Sequence, residues 1–512
     1  MSSHFQGNSL VILWLCHMLL AQALGRTYTA AVYEHQVVLN PEPGRPLRRH
    51  EALEHMWKNL DVFEEQAAIA AKQGAQIIVF PEDGIHGFNY TRESIAAYLE
   101  TVPDPAAVRW SPCSQPEEIP HTEVLRRLSC MAKKNAIYVV ANMPDRQDCD
   151  KKNDTHCPPD GRYQFNTDVV FDTNGTIVAR YHKQNLYFEA AFDTPPECEH
   201  VTFDTPFAGR FGVLTCFDIL FYKPAVFLVE KLGVRQLVYP TAWMNQLPLL
   251  AAVQFQRAFS YAAGATLLAA NVRAAELGMT GSGIFTPWHE VYQHNMENEA
   301  GRLLVSEVPV LDQEEMSSRG WPLEPFAGQQ LPQPQFCQKE AWDCKGTPFT
   351  MRPAPHNSTF TAIMMYDNFT MVALEGSEGD LTVCDRALCC NLLFQRSHAP
   401  DELYALGVFS GLHVVHGTYH LEVCALVRCA GSTLLSCGGE IDYASTRIDF
   451  HLKGNFSTQH VFPSLLGSGM QLERPDQYGQ EGGRVFMSRT GMLNGLVTAS
   501  LYSRVYDKDD EF

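Results

Sequence analysis

Gln76-Ile77-Ile78-Val79-Phe80-Pro81-Glu82-Asp83 is the stretch that decides the fold. A short apolar run bounded by turn residues reads as a strand buried on both faces, the kind found in parallel sheets. Ahead of it, Leu53, Met56, Trp57, Leu60, Phe63, Ala67 and Ala70 recur at helical spacing between Glu51 and Gly74, and Gly74 is a natural stop. Glu82 therefore stands where a strand runs out into a loop, a common place for catalytic groups.

The same punctuation continues downstream. Leu125 to Asn135 is predicted helical and Ile137 to Ala141 a strand. Asp168 to Tyr181 reads as a hairpin turning at Thr173-Asn174-Gly175, since Asn-Gly suits the positive φ such turns need. Phe211 to Leu214, Val234 to Tyr239 and Ala265 to Asn271 read as strands, and Leu247 to Ala262 as a helix. Helices alternating with strands over about 280 residues predict an α/β domain. From Ser317 to Phe336 the composition shifts to Pro, Gly, Gln and Ser, as in a linker. Beyond it come short β-prone segments, such as Met371 to Leu374, Leu421 to Val427 and Ile448 to Leu452, with six cysteines between Cys384 and Cys437. A β-rich, disulfide-stapled second domain is expected there, with a face buried against the first.

At 512 residues the chain is too long for one ordinary core, and its 45% apolar content is that of a globular protein. The net charge of −19 leaves no basic surplus for nucleic acid. The first 25 residues lack Asp, Glu, Lys and Arg. They carry an apolar run from Leu10 to Leu20, then Ala21-Gln22-Ala23 or Ala23-Leu24-Gly25 as small residues for cleavage, the pattern of a secretory signal peptide without the usual basic start. Sequons at Asn89, Asn153, Asn174, Asn357, Asn368 and Asn455 and the abundant cysteine agree with export. The end, Asp507-Lys508-Asp509-Asp510-Glu511-Phe512, offers no apolar tail for a lipid anchor. The expected organisation is a signal peptide over 1–25, a catalytic domain over 26–316, a linker over 317–336 and a β-rich domain over 337–512.

Three reactive side chains sit beside extended runs: Glu82, Lys183 in Tyr181-His182-Lys183-Gln184-Asn185, and Cys216 in Leu214-Thr215-Cys216-Phe217-Asp218. Together they suit attack on a carbon–nitrogen bond. Glu82 takes the thiol proton, Cys216 attacks, and Lys183 holds the charge on the carbonyl oxygen while its own charge favours the thiolate. Taken one at a time, a Glu after a strand or a Lys after a hairpin is ordinarily a solvated residue, and a cysteine in a secreted chain is ordinarily paired or buried. Of fifteen cysteines, Cys16 lies in the leader. Reserving Cys216 leaves an odd number, so another is unpaired, with isolated Cys198 the candidate and Cys149–Cys157 the easiest local bridge. His413, His416 and His420 invite a zinc reading, but on strand and turn those spacings do not put three ligands on one face. A structural or surface role suits them better.

These motifs make the chain resemble the nitrilase superfamily. The marks are Phe80 to Phe88 (FPEDGIHGF), Asn185 to Phe192 (NLYFEAAF), Tyr239 to Leu247 (YPTAWMNQL) and Met279 to Ile284 (MTGSGI). With Met365 to Thr370 (MYDNFT) and Leu403 to Phe409 (LYALGVF), they are similar to its secreted vertebrate branch of biotinidases and vanins across nearly all the mature chain. The resemblance implies an α-β-β-α sandwich, with Glu82 as general base, Lys183 as oxyanion stabiliser and Cys216 as nucleophile. It also implies the Phe217 N–H as a second oxyanion donor and Glu189 as a supporting carboxylate. No cofactor or metal is implied. The implied substrate is a small biotinyl amide, cut through a thioester by a secreted monomer. A vanin-like pantetheinase and a non-catalytic biotin carrier are the rival readings. Trp243 and Tyr187, beside the catalytic motifs, suit a pocket lining and core packing equally.

Overall fold

The computed structural model describes residues 26–297, 300–328, 359–397 and 402–511. The leader, Asn357 and the linker from 329 onward lie outside the described residues. In the first domain, twelve strands fall into two half-sheets joined by one long strand, Thr27–Gln36. Its first part pairs in parallel with Ile77–Val79 and antiparallel with Arg302–Pro309. Its last residues pair with Thr266–Arg273 of the other half-sheet, His35 opposite Val272. The first half-sheet continues through Tyr138–Asp148, Arg162–Phe171 and Ile177–His182. The second runs through Gln236–Thr241, Gly209–Val213 and Thr202–Thr205.

Side-chain alternation along these strands builds the layers. Ala30, Val32, Ile77 and Val79 meet Val213, Val238 and Leu268 between the half-sheets. Their neighbours Ala31, Tyr33, Ile78 and Phe80 pack under the helices Arg49–Lys72 and Glu123–Asn135. Leu237, Tyr239, Leu267 and Ala269 pack toward the helix Ala252–Ala263. This is the α-β-β-α sandwich, and it explains why Ile77–Val79 has no polar face.

The hairpin turns where the sequence places it, with Gly175 at φ 76°. A Cβ there would lie 2.6 Å from the Ser129 carbonyl oxygen. Gly175→Ala is expected to destabilise the domain by about 1–3 kcal/mol, strain and clash together. A urea melt measures it, and a cost near zero would mean that the turn relaxes freely.

The helix expected from Leu247 begins instead at Ala252. Gln246 and Leu250 exchange backbone hydrogen bonds across a turn, and the Asn245 side chain accepts the Ala252 N–H at 2.8 Å. The chain spends those groups on a turn before the helix can start. Every residue of Ala252–Ala263 is buried, because the second domain covers its outer side. Phe255 packs on Phe462 and Tyr502, and Phe259 stacks on Phe462.

Among the described residues, the second domain is a sandwich of a seven-stranded and a five-stranded sheet. Cys390–Cys424 ties one sheet to the other; Cys384–Cys389 and Cys429–Cys437 close local loops. Cys113–Cys130 and Cys149–Cys157 staple the first domain. Among the described residues, Cys198 and Cys216 are the free cysteines. Over residues 317–328 the Pro- and Gly-rich stretch lies against the Ala252–Ala263 helix, with the Phe326 N–H bonded to the Ala262 carbonyl at 2.8 Å.

Candidate active site

Each reactive group is delivered by a strand that has just ended. Phe80 still donates its N–H to Val140, but Pro81 has none to give, and pairing stops one residue before Glu82. Lys183 follows Ile177–His182 and donates its N–H to the Asn166 carbonyl at 2.9 Å. Cys216 opens a tight helical turn after Gly209–Val213 and sits at φ 45°, a left-handed conformation that costs energy for any residue but glycine. The Asp218 carboxylate holds the elbow, accepting N–H groups from Thr215 (3.1 Å) and Asn185 (2.9 Å) and the Tyr181 hydroxyl (2.7 Å). The loop after Lys183 is thereby clamped to the turn that carries Cys216.

All three side chains are buried. Lys183 Nζ donates to Glu82 Oε1 at 2.7 Å and to Glu189 Oε1. Glu82 also accepts the Asn166 amide at 2.8 Å and the Ala242 N–H at 2.9 Å. Asn166 reaches Glu189 Oε2 at 2.7 Å, so one amide ties both carboxylates. Burial opposes the Lys183 charge, but Glu189, Glu82 and Cys216 together hold the ammonium well above its usual range. Burial pushes the Cys216 thiol well up and Glu82 adds to this; Lys183 pulls the other way without prevailing. Lys183 Nζ already faces two carboxylates, Glu82 and Glu189, so its pull on the Cys216 proton is the weaker influence.

A layer of polar residues behind the site was not singled out in the sequence. Asn142 donates to Asn166 Oδ1 (2.6 Å) and Asp168 Oδ1 (2.9 Å), accepts the Asp83 N–H, and so orients Asn166. Thr215 donates to Asp168 Oδ2 at 2.7 Å. Burial raises the Asp168 pKa well above the ordinary carboxylate range. The signal was present: Gln164, Asn166 and Asp168 recur two apart on one face of a strand that pairs on both sides, where a buried polar residue is costly unless bonded.

Two spaces flank Cys216 and share Tyr187, Ala242 and Met244. One, about 430 Å³, is lined mostly by apolar and aromatic side chains, Trp243, Phe217 and Leu250 among them, with His413 and His416 from the second domain. The other, about 880 Å³, carries the charged groups Glu82, Lys183 and Glu189. Trp243 and Tyr187 thus line the cleft as well as packing against the core. The three histidines do not converge: His413 bonds Asp367 at 2.7 Å, His416 meets the Tyr187 hydroxyl at 3.2 Å, and His420 lies near Asp509. Asn89, Asn153, Asn174, Asn368 and Asn455 are all exposed. Among the described residues no helix is long and apolar enough to cross a membrane.

The carbon-nitrogen hydrolase profile matches residues 47–312, and the vanin C-terminal domain profile matches 358–509. The chain belongs to the carbon–nitrogen hydrolase family and is a hydrolase acting on amide bonds. Within that family it falls in the biotinidase and vanin branch. It is 54% identical to a biotinidase of Takifugu rubripes, covering 96% of each chain. It is 51% identical to a biotinidase of Homo sapiens, covering 94% of this chain and 90% of that one. A pantetheinase of Bos taurus is 44% identical over the same shares.

Proposed function

We propose that this amidohydrolase releases biotin from biocytin and biotinyl peptides through a thioester on Cys216. Glu82 takes the thiol proton as sulfur attacks the amide carbon. The ammonium of Lys183 spends two of its three donors on Glu82 and Glu189, which leaves the third for the developing oxyanion, beside the Phe217 N–H. As the C–N bond breaks, Glu82 returns the proton to the leaving amine. Glu82 then draws a proton from water, hydroxide attacks the thioester, and the acid leaves as sulfur regains a proton. An amine in place of water would transfer biotin instead. No cofactor enters this scheme. Glu189 holds the ammonium in place.

The observation that carries the reading is the buried Lys183–Glu82 pair beside Cys216, in a chain half identical to biotinidases over nearly its whole length. The exposed sequons, the disulfides and the leader support a secreted, glycosylated protein. The 44% identity to pantetheinases favours pantetheine as the second substrate to try.

Biocytin and pantetheine offered in parallel to the purified protein separate the readings. Biocytin is expected to be cleaved faster, and Glu82→Gln to lower kcat roughly 10²–10⁴-fold on it. Faster pantetheine cleavage would overturn the biotin reading. Biotin bound without turnover would make the chain a carrier.

A further inference from the structure

The second domain reaches the nucleophile through the turn between its strands Tyr404–His413 and Tyr419–Arg428. Gly417, at φ 131°, lies so close that a Cβ on it would stand 2.8 Å from the ring of Phe217, the residue next to Cys216. His416 on the same turn packs edge-on against Tyr187 and Phe188 of the first domain, its Nδ1 3.2 Å from the Tyr187 hydroxyl. His413, 5% exposed, lines the same chamber. Its Nδ1 faces the Asp367 carboxylate at 2.7 Å, so that nitrogen donates, a bond that in the neutral tautomer leaves Nε2 as an acceptor.

The orientation of a bound amide follows from the chemistry. Its leaving nitrogen must take a proton from Glu82, and Glu82 lines only the larger, charged space. An acyl group running the opposite way from Cys216 enters the smaller, mostly apolar chamber. That chamber is apolar except for a few polar side chains, which is how a pocket recognises an apolar group with a polar head.

We infer that the second domain supplies the wall that selects the acyl group, with His413 and His416 hydrogen-bonding its polar head. The inference rests on the amidohydrolase mechanism proposed above and deepens it. For a biotinyl group the head is the ureido ring, whose N–H suits an accepting His413 Nε2 and whose carbonyl suits a donor. Asp367 acts as a positioning residue, fixing the tautomer of His413. Neither domain alone holds a complete site.

The test uses the full chain with His413→Leu, His416→Leu and His413→Gln. Steady-state kinetics on biocytin and pantetheine are read beside the alkylation of Cys216 by iodoacetamide, a reagent too small to need the chamber. Each leucine variant is expected to raise KM for the better substrate roughly tenfold or more, with alkylation unchanged, and His413→Gln to recover part of the loss. Biotin and pantothenate should each protect Cys216 from alkylation in proportion to their fit, and the leucine variants should weaken that protection. Unchanged KM and protection, or a KM loss matched by slower alkylation, would overturn the wall. If pantetheine proves the substrate, the biotin reading fails, and the same KM comparison on pantetheine judges the wall separately. No turnover and no protection by either acid would overturn both.

Discussion

Cys216→Ala is expected to lower turnover by on the order of 10⁴-fold or more, because no other group near Glu82 can form an acyl intermediate. Its effect on stability should depend on pH with a definite sign. Burial, then Glu82, raises the thiol pKa in the folded chain. Above the unfolded value of about 8.5 the unfolded chain gives up a proton that the folded chain keeps, so wild-type stability falls as pH rises. Alanine has no such proton. The variant's melting temperature should therefore match the wild type near pH 7 and gain on it steadily between pH 8 and 10. A variant that instead loses ground to the wild type as pH rises to about 8.5, and then runs level with it, would mean that the resting sulfur is already a thiolate and that Lys183 does prevail. A pH-independent difference would mean that the thiol pKa is not shifted by folding.

That distinction marks the limit of what the sequence could say. Ile77–Val79 was readable because a strand covered on both faces needs apolar residues throughout, and Gly175 because few other residues tolerate its turn. Glu82, Lys183 and Cys216 were visible as reactive groups after strands. Their shared burial depends on two half-sheets that meet only through Thr27–Gln36, a long-range pairing with no local signature. Charge sharing was hidden for the same reason: a lysine held by two carboxylates and one held by none read alike in one dimension. Asn142 and Asn166 are small polar residues in strands, and only the hydrogen bonds give them a purpose. The turn His413 to Tyr419 raised a metal question that its strand geometry answered, but its approach to Phe217 belongs to domain packing.

Lys183→Met should damage both activity and stability, for two separable reasons. The first is catalytic: loss of the oxyanion donor is expected to lower kcat by about 10²–10³-fold or more. The second is structural. Glu82 and Glu189 would share a buried site without a cation, and breaking such a pair costs about 3–5 kcal/mol. Burial already raises the Glu189 pKa, with Glu82 adding to it and Lys183 as the main opposing influence. Without Lys183 it must rise further. A carboxyl whose folded pKa is raised keeps a proton that the unfolded chain releases above about pH 4.3, so the deficit grows as pH climbs from that value to the raised one and then levels off. Urea unfolding of variant and wild type at pH 4.5 and 7.5 should show the larger gap at 7.5. Adding Glu189→Gln removes one buried charge, and should restore much of the stability while activity stays low. A deficit equal at both pH values, or one untouched by Glu189→Gln, would mean that the lysine stabilises the fold through packing of its stem rather than by neutralising the two carboxylates.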